Sequence, residues 1–414
     1  MESITRREAL ARLAVVPMAT SVVRTKSRQA GRRVFAGFSQ AFILEPDGTL
    51  KAWTALVNYG NEIGELGLGH NTVVPPHKLY SVPGLSDVIQ VAAGREFSFA
   101  LQRNGRLLAW GANTVGVLGT TVPEEFARNL VRTGDANAPT PLGVMFEATG
   151  ISTAGTFALA VARDGTVWAW GQGSLGRLGI GQLPAIKPQY NPVRQLEDVP
   201  YPIRIPGLEG VTAVAAGVQH GLALLDDGTV QGWGYNVVGE VGDGTVIQRA
   251  TPVPVLGIRN AVAIAAGGSL SVALLADGTV MTWGEHGGGQ LGRRASQDGP
   301  NPIPAPAEGV EGIRAIGVGV SHVLALTDAG TVMSWGENAG GAPGNGTGGP
   351  VPKLIPQLAR VQSISTNVHR SFAVLADGRI MAWGDHLKRW ARPTGATDLS
   401  PLPRPLEVDG LDNS

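Results

Sequence analysis

One motif, repeated seven times, constrains the fold of this 414-residue chain more than any other feature. A representative copy is residues 227–234, which read Asp-Gly-Thr-Val-Gln-Gly-Trp-Gly. Successive copies lie about 50–60 residues apart, a period typical of propellers and solenoids rather than of a chain divided into two or three unrelated domains. The tryptophans that mark the copies are Trp53, Trp110, Trp170, Trp233, Trp283, Trp335 and Trp383.

Each copy predicts four short antiparallel strands. A strand rich in Ala and Gly, such as residues 214–217, is followed by an apolar strand at 221–225. The Asp-Gly pair then favours a type I′ hairpin turn, because that turn needs positive φ. An alternating strand leads to the Trp, and a Pro-rich segment supplies an outer strand. Small side chains suit the crowded axis of a ring, so the sequence predicts an all-β, seven-bladed β-propeller of four-stranded blades.

The two ends of the repeat region predict how the ring closes. The first unit begins in mid-pattern at residues 34–37, and residues 405–411 resemble the segment that precedes that point in the other units. We therefore expect one blade to be built from both ends of the chain, with the N- and C-terminal segments paired. Such pairing leaves no open sheet edge. Residues 34–414 are predicted to form a single propeller domain.

Composition agrees with this fold and excludes several classes of protein. The chain contains 59 Gly and 28 Pro with 43% hydrophobic residues, which suits many turns between short strands and does not fit a disordered chain. It has no Cys, so disulfides, thiolate metal sites and a Cys nucleophile are excluded. No segment has the 18–20 consecutive apolar residues of a membrane span.

Residues 1–33 differ from the rest. They hold eight basic and two acidic residues, which leaves 25 basic and 31 acidic residues in the remainder. Arg6 and Arg7 precede an apolar stretch, a pattern typical of a bacterial twin-arginine export signal. A disordered basic tail is the alternative. The first interpretation predicts a periplasmic or secreted protein, and the second a cytoplasmic one. The acidic remainder argues against nucleic acid as a partner.

The loop that follows each Trp-Gly carries a family resemblance. Residues 110–119 read Trp-Gly-Ala-Asn-Thr-Val-Gly-Val-Leu-Gly, and residues 233–242 follow the same pattern. These units resemble the regulator-of-chromosome-condensation (RCC1-like) repeat, which also has Gly-x-x-His ahead of its apolar strand. The resemblance covers about residues 34–411 and implies a seven-bladed propeller. The family includes nucleotide-exchange factors, chromatin binders, a plant light sensor and a bacterial β-lactamase inhibitor, so it does not imply one function.

Strand order predicts which loops share a face. The Gly-x-x-His turns and the Trp-Gly loops are expected on one face, and the Asp-Gly turns on the other. Aromatic and Arg side chains are typical interface anchors, so we expect the first face to bind a protein or peptide. The predicted partner-binding residues are Phe38, Phe97, Phe157, His220, Tyr235, His322, Arg370 and Trp390. The alternative is structural, with the histidines holding loop backbone and Phe97 and Phe157 in the core between blades.

An enzyme is a second hypothesis for the same face, because five of the seven histidines map to it. A lyase or hydrolase site would use histidines with nearby carboxylates. No fixed spacing links these residues, however, and no metal or cofactor is predicted. The candidate catalytic residues are His220, His286, His322, His369 and His386.

The family resemblance also allows a guanine-nucleotide exchange factor, and a small-molecule substrate is not excluded. We expect a monomer. Three loops, 54–61, 120–141 and 182–206, break the repeat and either confer specificity or are tolerated insertions.

Overall fold

The computed structural model describes residues 31–38, 40–54, 61–75, 78–119, 136–142, 146–181, 198–296, 299–384 and 402–407. Residues 1–30 of the predicted leader lie outside the described residues. His386 and Trp390 also lie outside them. Most of the three loops that break the repeat also lies outside, at positions 55–60, 120–135 and 182–197.

The described strands form seven four-stranded antiparallel sheets, which confirms the predicted seven-bladed propeller. Each blade is a meander of consecutive strands. Blades 1 and 2 contain β1 (Arg33–Ala36), β2 (Gln40–Leu44), β3 (Leu50–Thr54), β4 (Tyr80–Ser81), β5 (Val88–Ala93), β6 (Phe97–Gln102), β7 (Leu107–Gly111) and β8 (Ala136–Pro141). Blades 3 and 4 contain β9 (Ala148–Ala154), β10 (Phe157–Ala162), β11 (Val167–Gly171), β12 (Val199–Arg204), β13 (Val211–Ala216), β14 (His220–Leu225), β15 (Val230–Gly234) and β16 (Arg249–Pro254).

Blades 5 to 7 repeat this order. They contain β17 (Ala261–Gly267), β18 (Leu270–Leu275), β19 (Val280–Gly284), β20 (Ala305–Pro306), β21 (Ile313–Val318), β22 (His322–Thr327), β23 (Val332–Gly336), β24 (Gly349–Leu354), β25 (Val361–Asn367), β26 (Arg370–Leu375), β27 (Ile380–Gly384) and β28 (Leu402–Glu407). The described helices are three 3-10 turns, Thr114–Gly116, Ser174–Gly176 and Ala339–Gly341. None of them has the length or hydropathy needed to cross a membrane.

The first strand of each blade lies innermost. These strands contact their counterparts in the neighbouring blades around the ring. In β13 the residues Val214, Ala215 and Ala216 are buried, as expected where seven sheets converge on an axis. Small side chains are therefore required here because larger ones would collide at close sheet-to-sheet distances.

The repeated Trp fills the space between adjacent blades. Trp110 meets Phe42 of blade 1 edge to face, with ring centroids 5.5 Å apart. Trp170 meets Phe99 of blade 2 in the same way at 5.6 Å. All seven repeated tryptophans are buried. Each blade is thus fixed to the blade before it by one large aromatic side chain.

The ring closes differently from the predicted arrangement. No described sheet combines strands from both ends of the chain, so the expected shared blade is wrong for these strands. The physical reason is that each outer strand pairs with the strand before it in sequence: β28 pairs with β27, and blade 1 has its own outer strand, β4. Closure instead depends on side chains. Trp53 packs on Phe372 of blade 7, and the Asn367 amide donates to the Ala36 carbonyl at 3.0 Å.

Candidate binding face

Two sets of loops meet on one face of the ring, which we call the loop face. It consists of the turns after the innermost strands and the loops after Trp-Gly. Backbone bonds join the two sets within a blade: the Tyr235 N–H donates to the Gln219 carbonyl at 2.9 Å. Gly234 between them has φ of 103°, and a Cβ there would lie 2.6 Å from the Gln219 oxygen. Glycine is therefore required for this clamp, which recurs in each of blades 2 to 6.

An internal bond shapes most of the Trp-Gly loops. The Asn236 side-chain oxygen accepts the Val241 N–H at 2.9 Å, and Asn61 and Asn113 make the equivalent bonds in blades 1 and 2. In blade 5 the same position is His286, whose Nδ1 accepts the Leu291 N–H at 3.3 Å. Burial, with a smaller effect of the Arg293 charge, lowers the pKa of His286. His286, a candidate catalytic residue, therefore stabilises its own loop through this hydrogen bond.

These loops also anchor the next blade. In blades 2 to 7 the indole N–H of the repeated Trp donates to a carbonyl in the preceding Trp-Gly loop, as Trp233 does to Arg177 at 2.9 Å. The described links are Trp110 to Glu65, Trp170 to Val117, Trp233 to Arg177, Trp283 to Glu240, Trp335 to Gln290 and Trp383 to Ala342. The loop face therefore rests on a regular backbone scaffold that crosses every one of these blade boundaries.

His220 and His322 belong to this scaffold. The Nε2 atom of His220 lies 2.9 Å from the Ser271 hydroxyl of blade 5, which in turn donates to the Glu240 carbonyl at 2.7 Å. His322, Ser371 and Ala342 repeat the arrangement between blades 6 and 7, at 2.8 and 2.9 Å. Both rings are fully buried, and burial lowers the pKa of His220 to about 4 and, with a further effect of the His369 charge, that of His322 to about 3.

In six of the seven blades, the residue at the His position matches the polarity of its partner in the next blade; the exception is Arg370, whose counterpart in blade 1 is Ala41. Polar residues occur there when the next blade supplies Ser: Gln40 donates to Ser98 at 3.3 Å, just as the two histidines contact Ser271 and Ser371. Apolar residues occur when the next blade supplies an apolar residue instead. Those pairs are Phe97 with Ala158, Phe157 with Gly221 and Leu270 with Val323. Burial of a polar group requires a bonding partner, which accounts for this correspondence.

The predicted partner-binding residues differ in how far the structure buries their side chains. Phe97, Phe157, His220, His322 and Arg370 are buried beneath the loop face. Direct contact of these side chains with a partner is not tested by their placement and stays a prediction.

Two of the predicted residues reach solvent. Phe38 is 44% exposed and Tyr235 is half-buried. The Arg95 guanidinium, on the next blade, lies 5.6 Å from the centroid of the Phe38 ring. Aromatic and arginine side chains are thus presented together on this part of the face.

The described candidate catalytic histidines lie in four different blades, and His322 and His369 are near enough for the charge of His369 to lower the pKa of His322. His220, His286 and His322 lie in blades 4, 5 and 6 and each makes scaffold bonds of its own. His369 is half-buried in the turn of blade 7. Over the part of the chain that the structure describes, no three His, Asp or Glu side chains are grouped so that they could hold a metal ion.

Carboxylates line the Trp-Gly loops of blades 4 to 6, and further carboxylates, Glu65 and Glu96, lie on blades 1 and 2. Glu240, Glu285 and Glu337 lie on the Trp-Gly loops of blades 4, 5 and 6. Burial, and then the charge of the next carboxylate in this series, raises the pKa of Glu240 and of Glu285. Arg95 and Arg177 lie on blades 2 and 3.

A cavity of about 600 Å³ opens on the arginine side of the face, where blades 2, 3 and 4 meet. Its lining is Arg95, Gly155, Thr156, Gln172, Ser174, Leu175, Arg177, Val218 and Gln219. This cavity was not predicted from the sequence. A signal was present: the position of Arg177 is Glu, Val, Glu, Gln and Ala in the other described Trp-Gly loops, so its charge distinguishes blade 3.

The repeated fold and the construction of this face define a class of protein. Residues 55–390 match the family model described as the RCC1-like domain, and the chain belongs to that family.

Similar proteins are known in several eukaryotes. The chain is 32% identical to the human E3 ubiquitin-protein ligase HERC2 over 228 residues, which are 53% of this chain and 4% of HERC2. It is 28% identical to the Arabidopsis thaliana ultraviolet-B receptor UVR8 over 231 residues, or 54% of this chain and 45% of UVR8. The match therefore spans less than half the length of either relative.

Solved structures show the same fold. The yeast RCC1 protein Prp20, solved bound to Kap60, superposes with a TM-score of 0.72 at 19% identity, covering 100% of this chain and 90% of that one. Human WBSCR16 superposes with a TM-score of 0.68 at 20% identity, covering 84% and 92%.

Proposed function

We propose that this protein is a binding propeller that recognises a protein partner through the loop face. The observation that carries the proposal is a contrast between backbone and side chains on that face. The same clamp recurs in blades 2 to 6. The residue at the middle of the turn nevertheless varies around the ring: it is Phe38 in blade 1 and Arg95 in blade 2, and in blades 3 to 7 it is a small or apolar residue, Gly155, Val218, Gly268, Val320 or Val368.

A rigid scaffold with variable side chains suits recognition. Loops held by repeated backbone bonds lose little conformational entropy when a partner binds, so more of the contact energy appears as affinity. The opposite face offers less variety, because it carries Asp-Gly turns of one type, as at residues 47–49 and 227–229.

Phe38 and Arg95 are the strongest candidates for a central contact. The pair combines a large exposed ring with a guanidinium placed over it. Aromatic and arginine side chains dominate measured interface energies, and a preformed pair presents both at low entropic cost. Tyr235 adds a second half-buried ring on the same face.

The comparisons support a binding role at the level of the family. The structure of Prp20 bound to Kap60 shows a propeller of this fold in a protein complex. A second Prp20 structure was reported with its binding to Gsp1p and histones. These partners are properties of Prp20, and they motivate a search for a protein partner here.

The test compares exposed aromatic residues on and off the loop face. Phe38→Ala and Tyr235→Ala are made in the full chain, with Tyr201→Ala as the matched control, because Tyr201 is 45% exposed on the outer strand β12. Each tagged variant captures proteins from native extract, and enrichment is quantified by mass spectrometry. We expect the loop-face variants to lose at least one protein that both wild type and Tyr201→Ala retain. Equal enrichment by all four proteins would overturn the proposal.

A further inference from the structure

We infer that the cavity between blades 2, 3 and 4 binds a carboxylate group of an acidic peptide segment. This inference rests on the proposed function, because it names the chemistry of the partner that the loop face would recognise. The site is the cavity of about 600 Å³ whose lining includes Arg95 and Arg177. A space of this size accommodates a few residues of an extended peptide rather than one small ion.

The lining of the cavity is cationic. Of its nine residues, two are arginines and none is an aspartate or glutamate. Ser174 and Gln219 add neutral groups that can donate hydrogen bonds, whereas the Thr156 hydroxyl already donates to the Gln172 side-chain oxygen. The nearby carboxylate of Asp198 already accepts the Gly173 N–H at 3.1 Å.

Arg177 supplies a positive charge at a fixed place. Its side chain is buried and donates from Nε to the Ser174 carbonyl at 2.8 Å, from Nη1 to the Gln172 side-chain oxygen at 3.0 Å, and from Nη2 to the Ser174 hydroxyl at 3.0 Å. A longer bond of 3.4 Å from Nη1 reaches the Val218 carbonyl of blade 4. The guanidinium is thus oriented before any ligand arrives, which reduces the entropy lost on binding.

Arg95 supplies the adjustable donor. Its guanidinium is exposed, stands over the Phe38 ring and makes no ion pair among the residues described. A guanidinium fork matches a carboxylate through two parallel N–H···O bonds. Arg95 can form that pair at the mouth of the cavity without breaking a salt bridge.

Comparison of the seven repeats shows why the cavity occurs at this place in the ring. Blade 3 has glycine, Gly155, at the middle of its turn, where blades 2 and 4 carry Arg95 and Val218. Gly155 has φ of 60° and lines the cavity, and a Cβ there would lie 3.3 Å from the Val218 carbonyl oxygen of blade 4. The same blade carries the Arg at the loop position that is otherwise acidic or neutral in the described loops.

The arrangement fits a carboxylate better than a phosphate. Most of the Arg177 donors are directed at protein acceptors, so one fork, that of Arg95, is available for bidentate contact. The Arg95 guanidinium can make two parallel bonds, and Arg177 adds one oriented positive charge. This combination matches a carboxylate, a planar monoanion with two oxygens. A phosphate dianion with three acceptor oxygens is typically held by more donors than this.

The test measures peptide binding to the full chain by fluorescence anisotropy. The probe is a fluorescent six-residue peptide of Gly and Glu with an amidated C-terminus, and its matched control replaces each Glu with Gln. A neutral peptide with a free C-terminal carboxylate distinguishes a side chain from a chain end as the source of the group. A phosphoserine peptide tests the rival anion. The protein variants are Arg95→Gln and Gln219→Glu, with Arg106→Gln on the opposite face as control.

We expect the Glu peptide to bind wild type more tightly than the free-carboxylate peptide, and the Gln peptide to bind at least about tenfold more weakly than the Glu peptide. Arg95→Gln should weaken binding about tenfold, and Gln219→Glu, which adds a negative charge without removing a donor, by about threefold or more. Arg106→Gln should leave the affinity within about twofold, because its charge is screened at that distance.

Three results would overturn the inference: equal affinity for the Glu and Gln peptides, unchanged affinity in both cavity variants, or a phosphoserine peptide that binds at least about tenfold tighter than either carboxylate peptide. The outcome is separable from that of the proposed function. If Phe38→Ala and Tyr235→Ala both leave protein capture unchanged while Arg95→Gln abolishes peptide binding, the partner proposal fails and the carboxylate site stands. The reverse pattern removes only the carboxylate site.

Discussion

The Nε2 atom of His220 lies 2.9 Å from the hydroxyl of Ser271 in the next blade, and this contact determines the protonation of the ring. The hydroxyl donates its only hydrogen to the Glu240 carbonyl at 2.7 Å, so it must accept from Nε2. Nε2 of His220 therefore carries a hydrogen, and because burial lowers the pKa of the ring to about 4, His220 is the neutral Nε2–H tautomer at neutral pH. The same reasoning applies to His322 and Ser371, which couple blades 6 and 7.

Buried neutral histidines should make the stability depend on pH. The folded pKa of His220 is about 4 and that of His322 about 3, whereas an unfolded histidine titrates near 6.5. Between these values the unfolded state binds more protons, so the free energy of unfolding should fall as the pH drops below about 6.5. Each histidine should contribute a loss of roughly 1–2 kcal/mol at pH 5 relative to pH 7.

Chemical denaturation at several pH values checks this expectation. The comparison is with His220→Gln/His322→Gln, because Gln40 already bonds to Ser98 in the equivalent position of blades 1 and 2. Comparing the two proteins cancels the effect of carboxylates common to both. We expect a shallower slope in the variant between pH 7 and pH 5. An unchanged slope would mean that the histidines do not carry the effect.

The pairing of the His position with the next blade predicts that a second substitution should compensate for the loss of Ser271. Ser271→Ala should cost about 1–3 kcal/mol, because it leaves a buried His220 N–H and the Glu240 carbonyl with fewer partners. His220→Phe in the Ser271→Ala background recreates the Phe97 and Ala158 pairing of blades 2 and 3. The double variant should cost less than the sum of the single variants by about 1 kcal/mol. A double-mutant cycle from urea denaturation measures the coupling, and additivity would contradict this pairing.

The seam between blades 1 and 7 should depend on aromatic packing. Phe372 is buried, and its ring centroid lies 5.9 Å from that of Trp53 at an interplanar angle of 85°. Phe372→Ala should destabilise the protein by about 3–5 kcal/mol, because it opens a cavity where no described strand crosses from one end of the chain to the other. Hydrogen exchange should show the loss of protection first in β1 to β3 and β25 to β27. Uniform loss around the ring would contradict a local seam.

The loop clamp should tolerate no side chain at the Trp-Gly glycine. Gly234→Ala should cost more than about 2 kcal/mol, because it combines a positive φ with a Cβ only 2.6 Å from the Gln219 carbonyl oxygen. The control is Gly257→Ala, where φ is 70° but no atom lies within 4 Å of the new Cβ, so only the backbone cost of about 1 kcal/mol applies. Thermal unfolding distinguishes the two, and equal losses would exclude the clash as the cause.

Much of the fold could be predicted because its signals are local. The Asp-Gly turns, the alternating strands and the spacing of residues such as Trp233 and Trp283 each depend on a few neighbouring residues, and the structure confirms the seven blades they indicate. Ring closure could not be predicted in the same way. Assigning β28 to a sheet requires knowing whether its hydrogen-bond partner is the strand before it or the first strand of the chain, and local pattern favours neither.

The sequence by itself determined the architecture of this protein, the number of its blades and which loops it places together. Only the tertiary structure decided which side chains on that face meet solvent. Phe38 at the middle of the blade 1 turn is exposed, whereas Phe97 at the His position of the blade 2 turn is buried against blade 3. The cavity beside Arg177 likewise exists because three blades, distant in sequence, converge there. Burial and charge at such a site depend on packing between blades, and no single repeat contains that information.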